Sequence, residues 1–136
     1  MHRSWFAPLL LLPLLGNAST RCPADFSAFL TEFEKDQAFQ LSRTKDPITY
    51  WHVNHDDPEM KMKKRVVAKA KRKEYEPYPT REHQEKLKLQ RKLESTSPDM
   101  CTVSLGAPDS DMYAVDFRFI KSKTKWLLVE VRDNSL

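Results

Sequence analysis

Glycine, cysteine and recognisable catalytic motifs are all scarce in this sequence. Its 136 residues include two glycines, too few for the glycine-rich loop that cradles a phosphate group. It contains no Gly-x-Ser-x-Gly turn, no His-Glu-x-x-His pair and no Cys-x-x-Cys pair. These gaps argue against the common serine hydrolases, zinc proteases and thiol oxidoreductases, and we expect no cofactor.

The longest apolar run lies at the start of the chain. Arg3 leads into residues 5–15, which are followed by the small residues of Gly16-Asn17-Ala18. This pattern is typical of a cleavable export signal, here residues 1–18. The run is about half as long as a permanent membrane helix requires, so we expect a periplasmic or secreted protein with no membrane span after cleavage. A short uncleaved anchor is the alternative.

The predicted mature chain, residues 19–136, has a length that suits a single domain. Loss of Arg3 leaves 22 basic residues against 19 acidic ones, a net charge of +3. An excess of three positive charges is too small for a polyelectrolyte. Export also argues against nucleic acid as the partner.

Export also decides how the two cysteines are interpreted. An oxidising compartment allows an even number of cysteines to pair, so we expect a disulfide between Cys22 and Cys101. In the chain-entropy model, closing a loop of this size stabilises the fold by roughly 4 kcal/mol. Two free buried thiols are the alternative, whereas a metal or redox role would require closer spacing.

The first helix is predicted from Asp25. Glu34 is assigned to its solvent side, and a second short helix or turn is expected before Asp46-Pro47 ends the segment. Four apolar side chains recur at positions i, i+3, i+4 and i+7 and should form a buried stripe: Phe26, Phe29, Leu30 and Phe33.

Strands and one further helix are predicted for the remainder. β-branched and aromatic residues favour a strand at 48–53, and the basic segment 61–73 is interpreted as an edge strand. Thr80 is placed to cap a helix over 81–94. Alternating apolar residues then predict a three-strand antiparallel meander over 101–105, 112–121 and 126–131. The whole reads as an α+β domain in which a curved sheet wraps an N-terminal helix.

Two stretches resemble a known superfamily. The strand Tyr113-x-Val115-x-Phe117, its Lys-rich turn and Trp126-x-Leu128 resemble the close of nuclear transport factor two-like domains of the cystatin-like superfamily. The run 26–43, with Asp-Gln-Ala-Phe-Gln-Leu-Ser-Arg at 36–43, is similar to uncharacterised exported bacterial proteins of that fold. The resemblance implies a cone-like roll whose sheet can enclose a pocket, and it does not extend to residues 54–100.

Some members of that superfamily are isomerases or dehydratases that use Asp, Tyr or His in the cavity. The candidate catalytic residues here are Asp116, Tyr113 and His52. Asp116 and Arg118 share the strand face opposite Tyr113, and a solvated outer face is the favoured interpretation of both. An enzyme of this kind would need an enclosed apolar pocket that contains a buried carboxylate.

Two polar segments were weighed as binding sites. His52 and His55, with Asp56, Asp57 and Glu59, are too loosely spaced for a preformed metal site, and a polar turn without metal is expected. The basic segment could hold an anionic surface, a wall polymer or an acidic protein, with Tyr75 and Tyr78 nearby, or simply be a solvated edge. Its candidate binding residues are Lys61, Lys63, Lys64, Arg65, Lys69, Lys71, Arg72 and Lys73.

The residues thus favour a non-enzymatic exported domain that binds a protein or small ligand in the cell envelope, for example an accessory or immunity protein. An isomerase or dehydratase with a pocket carboxylate is one alternative. A binder of anionic polymers or membrane surface through 61–73 is another.

Overall fold

A computed structural model describes residues 21–74 and 77–136, so the predicted signal at 1–18 and Tyr75 lie outside the described residues. The helices are α1 (Ala24–Phe33), α2 (Gln37–Ser42) and α3 (Arg81–Lys86). The strands are β1 (Thr44–Val53), β2 (Met62–Val67), β3 (Gln90–Ser97), β4 (Met100–Gly106), β5 (Ala114–Ser122) and β6 (Lys125–Asp133). Among the described residues, no helix is long and apolar enough to cross a bilayer.

All six strands form one mixed sheet in the order β2-β1-β6-β5-β4-β3. β3 to β6 are a run of antiparallel neighbours, while β1 joins β6 in parallel and β2 joins β1 antiparallel. The side chains that alternate along a strand therefore fall on two faces. The inner face, covered by α1, carries Val115, Phe117 and Phe119 of β5; the outer face carries Asp116 and Arg118.

The predicted stripe of α1 is confirmed. Its four apolar side chains are buried against the sheet. Pro23 is the N-cap of the helix, and its carbonyl accepts hydrogen bonds from the backbone N–H groups of Phe26 and Ser27. The Asp25 carboxylate accepts from Lys121 Nζ at 2.6 Å and from Trp126 Nε1 at 3.2 Å, which ties the start of α1 to the β5–β6 hairpin.

β1 begins four residues earlier than predicted. The Asp46-Pro47 pair, expected to separate the second helix from the strand, lies within the strand. The strand runs from Thr44 to Val53, and its register against β6 shifts between Thr44 and Thr49. A proline lacks the N–H that a regular ladder would use, so it is tolerated where the ladder is irregular.

The helix predicted over 81–94 is wrong beyond its first turns. Thr80 caps it as expected, since its Oγ1 accepts from His83 N at 3.2 Å, but α3 ends at Lys86. Lys88 takes a left-handed conformation with φ of 56°, and β3 begins two residues later. Lys, Glu and Leu favour helix locally, but pairing with β4 overrides that preference. The C-terminal meander consequently has four strands.

The basic segment 61–73 is an edge strand only in its first half. β2 ends at Val67, and a 3₁₀ segment, Lys69–Glu74, follows. The Lys69 N–H donates to Asp46 Oδ1 at 2.9 Å, which ties the beginning of the 3₁₀ segment to β1. Val67 is buried, whereas Val66 is 62% exposed.

The disulfide between Cys22 and Cys101 is confirmed. It joins the residue before α1's leading proline to a fully buried position of β4, with 5.7 Å between the two Cα atoms. The bridge thus fastens the beginning of the described chain to β4, between β5 and the edge strand β3.

Candidate functional site

Aromatic rings fill the space between α1 and the inner face of the sheet. The Phe26 ring lies 4.9 Å from that of Trp126 and 5.3 Å from that of Phe119, centroid to centroid. Tyr78 packs its ring 4.6 Å from that of Phe117 and 5.2 Å from that of Phe33. The superfamily resemblance implied a pocket on the inner face, but in the described residues that face is occupied by close-packed side chains.

One buried carboxylate lies at the end of α1. Glu34 is only 3% exposed; Tyr78 Oη donates to its Oε2 at 2.6 Å and Gln84 Nε2 donates to the same oxygen at 2.9 Å. The Arg91 guanidinium of β3 pairs with the other oxygen, Oε1. These four side chains, which we call the Glu34 cluster, join α1, α3, β3 and the segment before α3. A buried charge is tolerated when it is paired and hydrogen-bonded in this way.

Sequence analysis missed the Glu34 cluster and assigned Glu34 to the solvent side. Glu34 lies four residues after Leu30, so it continues the buried stripe by one turn of helix. That spacing was the available signal. Its partners come from positions 44 to 57 residues away and could not be read from local pattern.

Tyr78 acts in the Glu34 cluster as a neutral hydrogen-bond donor. Burial raises the pKa of Tyr78 well above its usual 10.0, and the neighbouring Glu34 carboxylate raises it further. The hydroxyl therefore keeps its proton at neutral pH and donates a hydrogen bond to Glu34. The Glu34 cluster is thus a structural element that holds the end of α1 to α3 and β3.

An open groove lies on the opposite side of the sheet. It has a volume of about 310 Å³. The register between neighbouring strands determines which side chains line the groove. Thr102 of β4, Arg118 of β5 and Glu130 of β6 lie side by side, and Asp116 lies opposite Arg132. We call this the outer-face groove, and its lining residues are Met100, Thr102, Asp116, Arg118, Glu130 and Arg132.

The charges of the outer-face groove alternate in sign. Arg118 Nη2 lies 3.3 Å from Glu130 Oε1, and Trp51 Nε1 of β1 donates to Glu130 Oε2 at 3.0 Å. The Arg132 guanidinium lies 4.9 Å from the centroid of the Trp51 ring, and Lys64 Nζ lies 5.8 Å from it. These contacts hold the side chains in place while leaving them partly exposed.

Asp116 also lines a second concavity, of about 650 Å³, towards the β3 edge. Residues with small or no side chains line part of this concavity: Ser104, Gly106 and Ala114. The two depressions share Asp116, so together they extend the outer-face groove across four strands. An open surface of this shape suits a macromolecule better than a small substrate that must be enclosed.

The three predicted catalytic candidates do not meet. Asp116 lies on the outer face, where Asn134 Nδ2 donates to it at 3.5 Å. Tyr113 is half-buried and packs against the core. His52 stacks on the Tyr50 ring with 5.8 Å between centroids, and Tyr50 Oη donates to Asp133 Oδ2 at 3.1 Å. His52 and Asp133 are register partners that local sequence gave no reason to pair.

In the acidic and histidine-containing turn after β1, side chains accept hydrogen bonds from backbone N–H groups of the same turn. Asn54 Oδ1 accepts from the N–H of Asp56 at 3.1 Å, and Asp57 Oδ1 accepts from that of Glu59 at 2.9 Å. In the part of the chain that the structure describes, no group of three or more His, Cys, Asp or Glu side chains is placed to hold a metal.

The basic segment presents most of its charge to solvent. Lys61 pairs with Glu59 at 3.0 Å, and Arg65 and Arg72 are half-buried. The Lys73 side chain lies outside the described atoms. The following lysines are exposed and form no ion pair within residues 21–74 and 77–136: Lys63, Lys64, Lys69 and Lys71.

Comparisons with known proteins identify the fold. No family model matches the sequence, and neither does any curated protein. The solved structure of an NTF2-like protein from Bacteroides fragilis aligns with a TM-score of 0.60 and 13% identity. The alignment covers 79% of this chain and 46% of that protein, so this chain spans less than half of its length. The predicted NTF2-like α+β fold is thereby confirmed.

Proposed function

We propose that this protein is an exported, non-enzymatic binding domain that holds a protein partner of the cell envelope against its outer-face groove. The observation that carries the proposal is the distribution of side chains. The inner face is filled by aromatic rings, whereas the outer face displays an ordered set of charges in an open groove.

Export is supported by two features. Residues 1–18 have the order of charge, apolar run and small residues found in cleavable signals. The bond between Cys22 and Cys101 is of a kind that persists in oxidising compartments and is rare in the cytosol.

Binding is favoured over pocket catalysis because of where the ionisable groups lie. Asp116, the candidate base, faces away from the ring-filled interior. The carboxylate that is buried, Glu34, is fully engaged by Tyr78, Gln84 and Arg91. Neither carboxylate meets the requirement of a base beside an enclosed apolar pocket.

The outer-face groove has features of a protein-binding surface. Arginine and tryptophan are over-represented among residues that dominate binding energy, and Arg118, Arg132 and Trp51 lie together here. Alternating charge adds specificity, since a partner must present the complementary order of signs. A partner-neutralising role of the immunity or accessory type fits such a surface.

Removal of the two arginine charges from the groove tests the proposal. The double variant Arg118→Gln and Arg132→Gln would be used as bait in envelope extract beside the wild-type protein. The double variant Lys123→Gln and Lys125→Gln, at the β5–β6 turn, removes the same net charge away from the groove. Circular dichroism and a denaturation midpoint establish that both variants fold.

We expect one envelope protein to be retained by the wild type and by the turn variant and to be lost from the groove variant. A loss of two buried or half-buried polar contacts corresponds to roughly a hundredfold weaker binding. Retention by all three baits, or loss from both variants alike, would contradict a role for the outer-face groove.

A further inference from the structure

The edge of the sheet formed by β2 offers a second binding surface, distinct from the outer-face groove. β2 lies at one end of the sheet, and among residues 21–74 and 77–136 it pairs only with β1. An edge strand carries a row of N–H and C=O groups that a further strand can satisfy. We propose that β2 binds an extended acidic peptide segment of a partner protein by adding it as a seventh strand.

The direction of the free backbone groups follows from one hydrogen bond. The Asn54 N–H donates to the Lys61 carbonyl at 2.9 Å, so Lys61 points its backbone towards β1. In an antiparallel ladder this orientation alternates, and Lys63, Arg65 and Val67 therefore also face β1. The outward N–H and C=O groups belong to the three intervening residues: Met62, Lys64 and Val66.

Charge specifies the kind of peptide. Lys63 lies on the inner side of β2 and Lys64 on the outer side, and both are exposed without an acidic partner in the described chain. Lys69 continues the positive charge beyond the strand end. A second copy of β2 would be repelled, while a strand with acidic side chains on both faces would pair with lysine on each.

Backbone pairing distinguishes this occupant from other anions. A phosphate polymer can meet the lysine charges but cannot bond to alternating N–H and C=O groups at strand spacing. Val66 is 62% exposed, and the side chain of an added strand would cover part of it. An acidic peptide matches all three features of this edge: the outward N–H and C=O groups, the exposed Val66 side chain and the lysines without acidic partners in the described chain.

The probe is the octapeptide Glu-Glu-Thr-Thr-Glu-Glu-Thr-Thr, which carries glutamates on both faces of a strand, titrated against protein purified from an exporting host with its disulfide intact. Its matched control carries the same charge but is N-methylated at every peptide nitrogen, which removes the backbone donors along both edges. Sodium polyphosphate supplies charge without a peptide backbone. We expect the N-methylated peptide to bind at least about tenfold more weakly than its parent, because several backbone hydrogen bonds are lost.

A substitution on the protein side gives an independent reading. Val66→Pro removes one outward N–H without touching the ladder to β1, as proline is tolerated where the strand N–H faces solvent. We expect roughly tenfold weaker peptide binding for Val66→Pro and less than about a twofold change for Val66→Thr, which keeps the N–H.

Strand addition is overturned if the octapeptide fails to bind the wild-type protein, or if its N-methylated form binds equally well. Equal binding of polyphosphate, combined with no effect of Val66→Pro, would assign the lysines to general anion attraction. The Arg118→Gln and Arg132→Gln variant should bind the octapeptide normally, so failure of this inference is separable from failure of the outer-face proposal.

Discussion

The inner and outer faces of the sheet are made by the same strands yet have opposite characters. In β5, Phe117 and Phe119 point inward and are fully buried, while Asp116 and Arg118 point outward and remain partly exposed. The inner face is apolar and closely packed. The outer face is charged and concave, with about 310 Å³ of open space.

Under the proposed function, this difference places stability and binding on alternate residues of one strand. Removal of an inward ring leaves a void that its neighbours cannot fill, whereas removal of an outward charge exposes little that was buried. The two properties should therefore respond to substitution independently, even between adjacent positions.

The largest effect is expected from truncation at the centre of the inner face. Phe117→Ala should lower the free energy of unfolding by about 4 kcal/mol, because it deletes a ring packed on Tyr78. Its neighbour provides the control: Arg118→Ala should cost less than about 1 kcal/mol. Denaturant midpoints of both variants measure the contrast, and comparable losses at the two positions would erase it.

A smaller loss is expected from the Glu34 cluster, where the interior formed by residues 21–74 and 77–136 holds a charge. Arg91→Met leaves the buried Glu34 carboxylate without its cation and should cost about 2 kcal/mol, less than for a fully buried pair because the Arg91 side chain is 29% exposed. Lys92→Met, on the outward side of β3, should change stability by less than about 0.5 kcal/mol. Restoration of stability by adding Glu34→Gln would show that the uncompensated charge is the cause; an Arg91→Met protein as stable as wild type would refute the pairing.

The smallest effect is expected from the hydroxyl of Tyr78. Its raised pKa means that the native state holds a proton which the unfolded chain releases near pH 10.0, so stability is present below that pH and declines as the pH rises above it. Tyr78→Phe should cost about 1 kcal/mol at neutral pH and should flatten this decline. Urea denaturation at a series of alkaline pH values tests it, and parallel pH profiles for wild type and variant would be the contrary result.

Sequence periodicity predicted the elements whose contacts are local or strictly alternating. The stripe of α1, the outward position of Asp116 and Arg118, and the pairing of Cys22 with Cys101 all followed from spacing, face or compartment. The helix expected at 81–94 failed because residues 90–94 gain more from pairing with β4 than from their own helical preference.

The outer-face groove could be predicted only in part. Its β5 residues were placed on the correct face, but Glu130 is opposite Arg118 because the register of β6 shifts between Arg118 and Phe119. Trp51 joins them through a parallel pairing between the first and last strands. Neither a bulge nor a long-range parallel pairing leaves a local signal in the sequence.

The two tryptophans of the described residues, Trp51 and Trp126, provide the most direct test of where the proposed partner binds. Trp51 lies at the outer-face groove, beside Arg132, whereas Trp126 is buried in the interior against Phe26. Their indole N–H signals can be followed by NMR while the captured envelope partner is added, with Trp51→Phe used for assignment. We expect the Trp51 signal to shift and the Trp126 signal to stay unchanged; a shift of Trp126 with Trp51 unmoved would place the ligand inside the domain and contradict binding at the outer face.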